Sequence, residues 1–139
     1  MAKLGMRAAS AVHSGLYRLS GGRLGGRMAG APVLLLTTTG RKSGKSRTVP
    51  LLYTRDGDAY TVIASMGGAP QHPAWYTNLQ ANPSAEVAVG RDALAVTARD
   101  AEGEERERLW RSMAELYPAY DGYQKKTERR IPVVVLEPS

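Results

Sequence analysis

The sequence predicts a mainly β (α+β) domain, a small antiparallel barrel with a few short helices and an N-terminal helix. Three observations carry this. Strand-like runs come in pairs joined by tight turns, the pattern of hairpins rather than of strand–helix–strand units. Helical periodicity is confined to short segments. The 139 residues are 42% hydrophobic and 23% charged, which suits one domain with a real core.

The first element is "MAKLGMRAASAVHSGLYRLSGGRLGGRMAG", a helix running into a Gly-rich tail. At 100° per residue Met1, Leu4, Ala8, Val12, Leu16 and Leu19 share one face, and Lys3, Arg7, Ser10, Ser14 and Arg18 share another. Such a basic amphipathic helix suits an anionic membrane surface. It equally suits packing on the domain or on a second subunit, and the small Ala and Gly face favours packing. "GGRLGGRMAG" reads as a flexible hinge. The chain therefore divides into an N-terminal segment, 1–30, and a barrel, 31–139.

The barrel opens with the strand "VLLLTTT". "TVPLLYTR" and "DAYTVIAS" form a hairpin around Asp56-Gly57. Pro50 places its strand at an edge or a bulge, because proline donates no ladder hydrogen bond. "HPAWYTNLQANP" is a short helix opened by Pro73 and closed before Pro83. "AEVAV" and "ALAVTARD" pair around Gly90-Arg91. Asp100 is placed to cap the next helix, with Glu102, Glu104 and Glu105 near its positive end. There Leu109, Trp110, Met113, Leu116 and Tyr117 make a buried stripe. "IPVVVLEP" is a final buried strand. The total is six strands.

Several function classes fall away. Without cysteine there is no disulfide, thiolate nucleophile or Cys-based zinc site. His13 and His72 are too few and too scattered for a His-rich metal site. The longest apolar runs are far below a membrane span, and no signal peptide is read. A cytoplasmic location is expected, with attachment to the inner face of the plasma membrane if the N-terminal helix binds lipid.

The 19 cations exceed the 13 acids, for a net charge of +6, and every acid lies after residue 55. The basic half includes "TTTGRKSGKSRTVPL". A phosphate loop of the G-x-x-x-x-G-K-[ST] type would need glycine at Thr39, and Gly40 is one residue late. A strand follows rather than a helix, so that reading fails. The loop still suits an anion. Gly40 and Gly44 let the backbone turn and expose N–H groups, Arg41 and Arg47 have bidentate forks, and Lys42 and Lys45 add charge. Nucleic acid is not the expected partner, since the chain has no Phe and the loop has no aromatic for base stacking.

These residues also carry a resemblance. "LLLTTTGRKSGKSRTVPLLYTRDGDAYTVIASMGGAPQHPAWYTNLQANPSAEV", "TARDAEGEERERLW" and "LYPAYDGYQKKTERRIPVVVLEP" resemble the deazaflavin-dependent nitroreductase family, in the same order. The likeness covers the chain from about Pro32 onward. It implies a six-stranded antiparallel split β-barrel using coenzyme F420, a tricyclic ring with a phosphodiester and a glutamate tail.

What the resemblance implies residue by residue is as follows. Arg41, Lys42 and Arg47 hold the phosphate and glutamates, with Ser43 and Pro50 also at the cofactor. Ala64, Ser65, Met66 and Gly67 run beside the ring and offer backbone groups with little bulk. Trp75, Tyr76 and Asn78 complete the groove. Tyr117, Tyr120 and Tyr123, which recur every three residues across Pro118 in a segment leaving the helix, cover the active site and, with Ser65, face the acceptor; Ser65 and Tyr120 polarise its oxygen or give it a proton. The implied reaction is hydride transfer to a quinone or nitroaromatic compound. Met66 stands where some relatives have lysine, which removes one possible anion contact; Leu52 stands where nitro-drug-activating relatives have an aromatic, which favours quinone over nitroimidazole. FMN in place of the deazaflavin, or a deazaflavin-binding module without turnover, remain alternatives. A homodimer is compatible with the fold.

Overall fold

The computed structural model describes residues 27–28 and 31–139. The expected N-terminal helix lies outside the described residues. Within the expected hinge, Arg27–Met28 forms a short strand, β1, paired with Ala31 and Pro32 at the start of β2 (Ala31–Thr39).

The remaining strands are β3 (Ser46–Leu52), β4 (Thr54–Asp56), β5 (Ala59–Ile63), β6 (Ser84–Val89), β7 (Asp92–Asp100) and β8 (Val133–Pro138). Helix α1 is Ala74–Ala81, α2 is Gly103–Leu116 and α3 is Ala119–Lys126. The strands form one antiparallel sheet in the order β1-β2-β6-β7-β8-β5-β4, with β3 on β2. Aside from the two-residue β1, seven strands replace the expected six. The extra one arises because the expected strand "TVPLLYTR" changes partner at Tyr53. Before it β3 pairs with β2, and after it β4 pairs with β5. β3 and β4 end opposite sides of the sheet, yet one residue separates them. The sheet must curl until its ends meet, which makes the half-barrel of a split-barrel-like fold. The Tyr53 N–H donates to Pro32 O at 3.2 Å and continues the β2–β3 ladder up to the point where the chain leaves it.

Local signals explain the hairpins. Gly57 and Gly90 open their two-residue loops with φ 61° and 60°, a region that glycine enters without a Cβ clash. Pro50 lies in register with Leu35 on β3, whose only strand partner among the described residues is β2, so the proline sits at an edge.

The "VVVL" run of β8 lies between β5 and β7 and is buried on both faces. Val134 and Leu136 point into the barrel with Leu34, Leu36, Val62, Val87 and Val96. Val133 and Val135 point outward, under Leu109, Met113 and Tyr120 of α2 and α3. A strand covered on both sides reads as a continuous apolar run for this reason. Helix α1 packs Trp75, Tyr76 and Leu79 onto the inner cluster.

Two local expectations are corrected. Asp100 does not cap α2; it ends β7, and the helix begins three residues later at Gly103 after Glu102. The tyrosine segment after Pro118 is not simply a chain leaving α2. It forms α3, with Pro118 at its N-cap.

Candidate functional site

The loop between β2 and β3 is a compact turn. Gly40 N–H donates to Lys45 O and Gly44 N–H to Gly40 O, each at 2.8 Å. These two N–H groups are therefore used inside the loop, contrary to the expectation that they face a ligand. Lys45 N–H donates to Ser43 Oγ at 3.1 Å. At the base, the Thr37 and Thr48 hydroxyls hydrogen-bond at 2.6 Å and tie β2 to β3. With its own backbone closed, the loop presents cationic side chains outward: Arg41, Lys42, Lys45 and Arg47 are all exposed.

Arg41 is the exception to free movement. Its backbone N–H and its Nη1 both donate to Asn78 Oδ1. Asn78 is buried and donates from Nδ2 to Thr38 Oγ1 at 3.2 Å. The sequence suggested that Asn78 lines the groove. It does, and it also holds Arg41 in place.

A cavity of about 400 Å³ lies against this loop, lined by Arg41, Lys42, Ser43, Arg47, Thr48, Val49, Trp75 and Asn78 among others. A second, of about 390 Å³, is lined by Val49, Pro50, Leu52, Ile63, Ser65, Met66, Gly67, Pro73, Trp75, Tyr117, Tyr120 and Tyr123 among others. The two share Val49 and Trp75. They form one groove, basic at one end and aromatic at the other. Trp75 is both core and lining: its ring is buried in the inner cluster and still borders both cavities.

The aromatic end is built by α2 and α3. The Tyr117 and Tyr123 hydroxyls hydrogen-bond at 3.2 Å, and the Tyr120 ring lies 5.2 Å from Tyr117 and 6.1 Å from Tyr123. Burial, then the neighbouring Tyr117 and Tyr123, push the Tyr120 phenol well above its usual range. A phenol held protonated in this way is suited to donate a hydrogen bond rather than to act as an acid.

The floor is the tight segment after β5. Met66 has φ 47°, the one non-glycine residue at positive φ among those described, and its side chain is 54% exposed at the rim. Gly67 and Gly68 follow at φ 64° and 82°. A Cβ on Gly68 would lie 2.7 Å from Tyr123 O, so glycine is what lets this segment touch α3.

Two expected groove residues lie elsewhere. Tyr76 points to the opposite side of α1, where its hydroxyl donates to Asp100 Oδ2 at 2.5 Å. Burial first, and Asp100 second, raise that phenol above its usual range. Asp100, read as a helix cap, is thus a phenol acceptor. Ala64 is fully buried with both backbone groups engaged, its N–H on Pro132 O and its carbonyl on Arg129. It offers no backbone group to the groove.

Arg129 escaped the sequence reading, which weighed His72 only as a metal ligand. Arg129 donates to three carbonyls of the segment 64–69 and approaches His72 Nδ1 at 3.0 Å. A guanidinium only donates, so Nδ1 accepts and His72 is the neutral Nε2–H tautomer. Nothing local in "TERRIP" marks Arg129, since its partners are about sixty positions away.

No helix among the described residues is long and apolar enough to cross a membrane.

Comparison with known proteins identifies the family and the fold. The family profile described as F420H(2)-dependent quinone reductase matches residues 9–138. An F420H(2)-dependent quinone reductase of Mycobacterium tuberculosis (strain ATCC 25618 / H37Rv) is 47% identical over 129 residues, covering 90% of this chain and 87% of the relative. Among solved structures, an F420-H2 dependent reductase (FDR-A) is 50% identical with TM-score 0.71, covering 76% of this chain and 94% of its own. Another, described as a domain-swapped dimer, is 43% identical with TM-score 0.73, covering 94% and 99%. The profile match over residues 9–138 and the 47% identity across 90% of the chain place this protein in the F420H2-dependent quinone reductase family.

Proposed function

We propose that the groove binds reduced coenzyme F420 and a quinone, and that the protein is an F420H2-dependent quinone reductase. The carrying observation is the continuity of the two cavities at Val49 and Trp75. A ligand with anionic groups at one end and a flat ring at the other fits that donor set. Arg41, Lys42 and Arg47 would hold phosphate and glutamate carboxylates, with Ser43 beside them. Ser65, Met66 and Gly67 would lie along the ring, and Pro50 and Leu52 would close the facing wall.

The reduced deazaflavin supplies the hydride. The chain supplies position, water exclusion and hydrogen bonds. Tyr120 and Ser65 donate to the acceptor oxygens as they gain negative charge, and the Tyr117–Tyr123 pair flanks them. The quinone takes one hydride and one proton to become the hydroquinone. Burial makes the Tyr120 phenol a weaker acid than usual, which favours solvent as the source of that proton. FMN lacks the glutamate tail for which the basic end is suited, and the family match favours the deazaflavin. Nitroaromatic reduction is a secondary use, because the wall residue is the aliphatic Leu52.

The deciding experiment is a titration with F420H2, reduced FMN and NADPH, using menadione as acceptor. Oxidation of F420H2 alone supports the reading, and absence of F420 binding sinks it. Two further proposals concern assembly. The basic amphipathic pattern within 1–30 supports docking on anionic lipid at the inner face of the plasma membrane, tested by deleting residues 1–29 and sedimenting with anionic liposomes; unchanged sedimentation rejects it. The likeness to a domain-swapped dimer supports a homodimer, tested by light scattering.

A further inference from the structure

Arg129 lies outside the groove lining, behind the segment that forms its floor. Nε donates to Ala69 O at 2.8 Å, Nη2 to Ser65 O at 2.7 Å and Nη1 to Ala64 O at 3.2 Å. Nη1 also meets His72 Nδ1. No carboxylate pairs with this guanidinium among the described residues. Its forked donors are directed instead at one strained turn of backbone.

Each carbonyl fixes the peptide group that follows it. In a trans peptide the N–H points away from the C=O of the same plane. With Ala64 O and Ser65 O drawn toward Arg129, the N–H groups of Ser65 and Met66 turn the other way. That is the side on which Ser65 and Met66 line the cavity. No loop hydrogen bond within the described residues takes either N–H, whereas the N–H groups of Ala64, Gly68 and Ala69 are all engaged.

We infer that Arg129 is a positioning residue that locks the Ser65 and Met66 peptide planes, so that two backbone N–H groups face the groove as donors to the carbonyl-bearing ring of the deazaflavin. The positive φ of Met66 is then maintained by the fork behind it. Lysine cannot reproduce the effect, because a single ammonium cannot span three carbonyls. The inference rests on the deazaflavin reading above.

The test uses the full chain and oxidised coenzyme F420. Amide exchange at Ser65 and Met66 is followed by NMR with and without F420, and F420 affinity is measured by fluorescence. In the wild type both amides are expected to become protected on binding. Arg129→Lys should bind F420 about tenfold more weakly and, when saturated, leave those two amides unprotected. Arg47→Ala should also weaken binding but keep both protected at saturation. A residue that merely stabilises the fold would lower the melting temperature and leave the protection pattern of the saturated variant unchanged, which overturns the inference. If Arg129→Lys does not fold, the wild type alone decides, since unprotected amides in the F420 complex overturn it. A wild type that fails to bind F420 at all defeats the proposed function itself, a different result from binding without protection.

Discussion

Asn78 Oδ1 receives two hydrogen bonds from Arg41, one from the backbone N–H at 3.1 Å and one from Nη1 at 2.9 Å. The buried amide joins α1 to the basic loop and fixes the direction of one cation. Asn78→Ala would leave the buried Thr38 hydroxyl without its amide and release the exposed Arg41, a cost of about 1–3 kcal/mol. A lower melting temperature is expected, together with weaker F420 binding. The binding loss should grow with the number of glutamates on the cofactor, because Arg41 faces the tail end of the groove. Affinity measured across cofactors of different tail length checks this; a loss independent of tail length would mean that Asn78 acts on the ring end instead.

Tyr120 has a buried ring and a hydroxyl with no hydrogen-bond partner among the described residues. Tyr120→Phe therefore removes a donor without opening a cavity or stranding a neighbour. Stability should stay within about 0.5 kcal/mol of wild type. Turnover with a quinone should fall about tenfold to a hundredfold, as expected when one donor to a developing oxyanion is lost. F420 affinity should hold steady. Steady-state kinetics beside direct F420 titration separates the two effects, and an unchanged kcat would remove Tyr120 from the reaction.

His72 gives a pH dependence with a defined sign. Burial first, and the Arg129 charge second, hold its imidazole below the usual range, while Asp100 acts in the opposite direction. The unfolded imidazole titrates near about 6.5. Stability is then fully present above that pH. It falls as the pH drops below it, because the unfolded chain takes up the proton first. Asp56 and Glu105 are held below their usual range by hydrogen bonds from Arg108 and Arg99, so their contributions fade only below about pH 4. Between pH 7.5 and 5 His13 and the Glu86 carboxyl, which burial raises above its usual range, can also contribute, so His72 is isolated by the difference between the wild-type and variant melting curves. His72→Asn keeps an acceptor for Arg129 without a titrating group, and its curve should be flatter. An equal slope in both proteins would assign the effect to another residue.

What could be read from sequence was local. The turns at Gly57 and Gly90, the helix bounded by Pro73 and Pro83 and the doubly buried "VVVL" strand all follow from neighbours within a few residues. The basic loop was legible because its charge is contiguous, and the tyrosines because they recur every three residues in a segment that resembles the family, although the helix that carries Tyr120 and Tyr123 was not foreseen. The partner change at Tyr53 was not legible. It depends on where a curled sheet closes, a property of all seven longer strands together. Tyr76 was misplaced for a similar reason, since its acceptor Asp100 lies twenty-four positions away on β7. Arg129 was invisible because its meaning lies in carbonyls about sixty positions upstream.

Gly67 and Gly68 allow a controlled comparison. Both have positive φ, but a Cβ on Gly67 meets open space. On Gly68 it would meet Tyr123 O at 2.7 Å and Tyr123 Cα at 3.1 Å. Gly67→Ala should cost about 1–2 kcal/mol from backbone conformation alone. Gly68→Ala adds a steric overlap with rigid backbone and should cost about 2–4 kcal/mol. The functional consequence should differ as well. Relief of the overlap requires the floor segment to separate from α3, which carries Tyr120 and Tyr123, so Gly68→Ala should weaken F420 binding and raise the KM for quinone together. Gly67→Ala leaves that contact intact, so any change in the quinone KM should come only from the added methyl in the groove and be smaller than for Gly68→Ala. Chemical denaturation and steady-state kinetics on the two variants check both points, and equal stability losses would show that the floor segment and α3 are not held in direct contact.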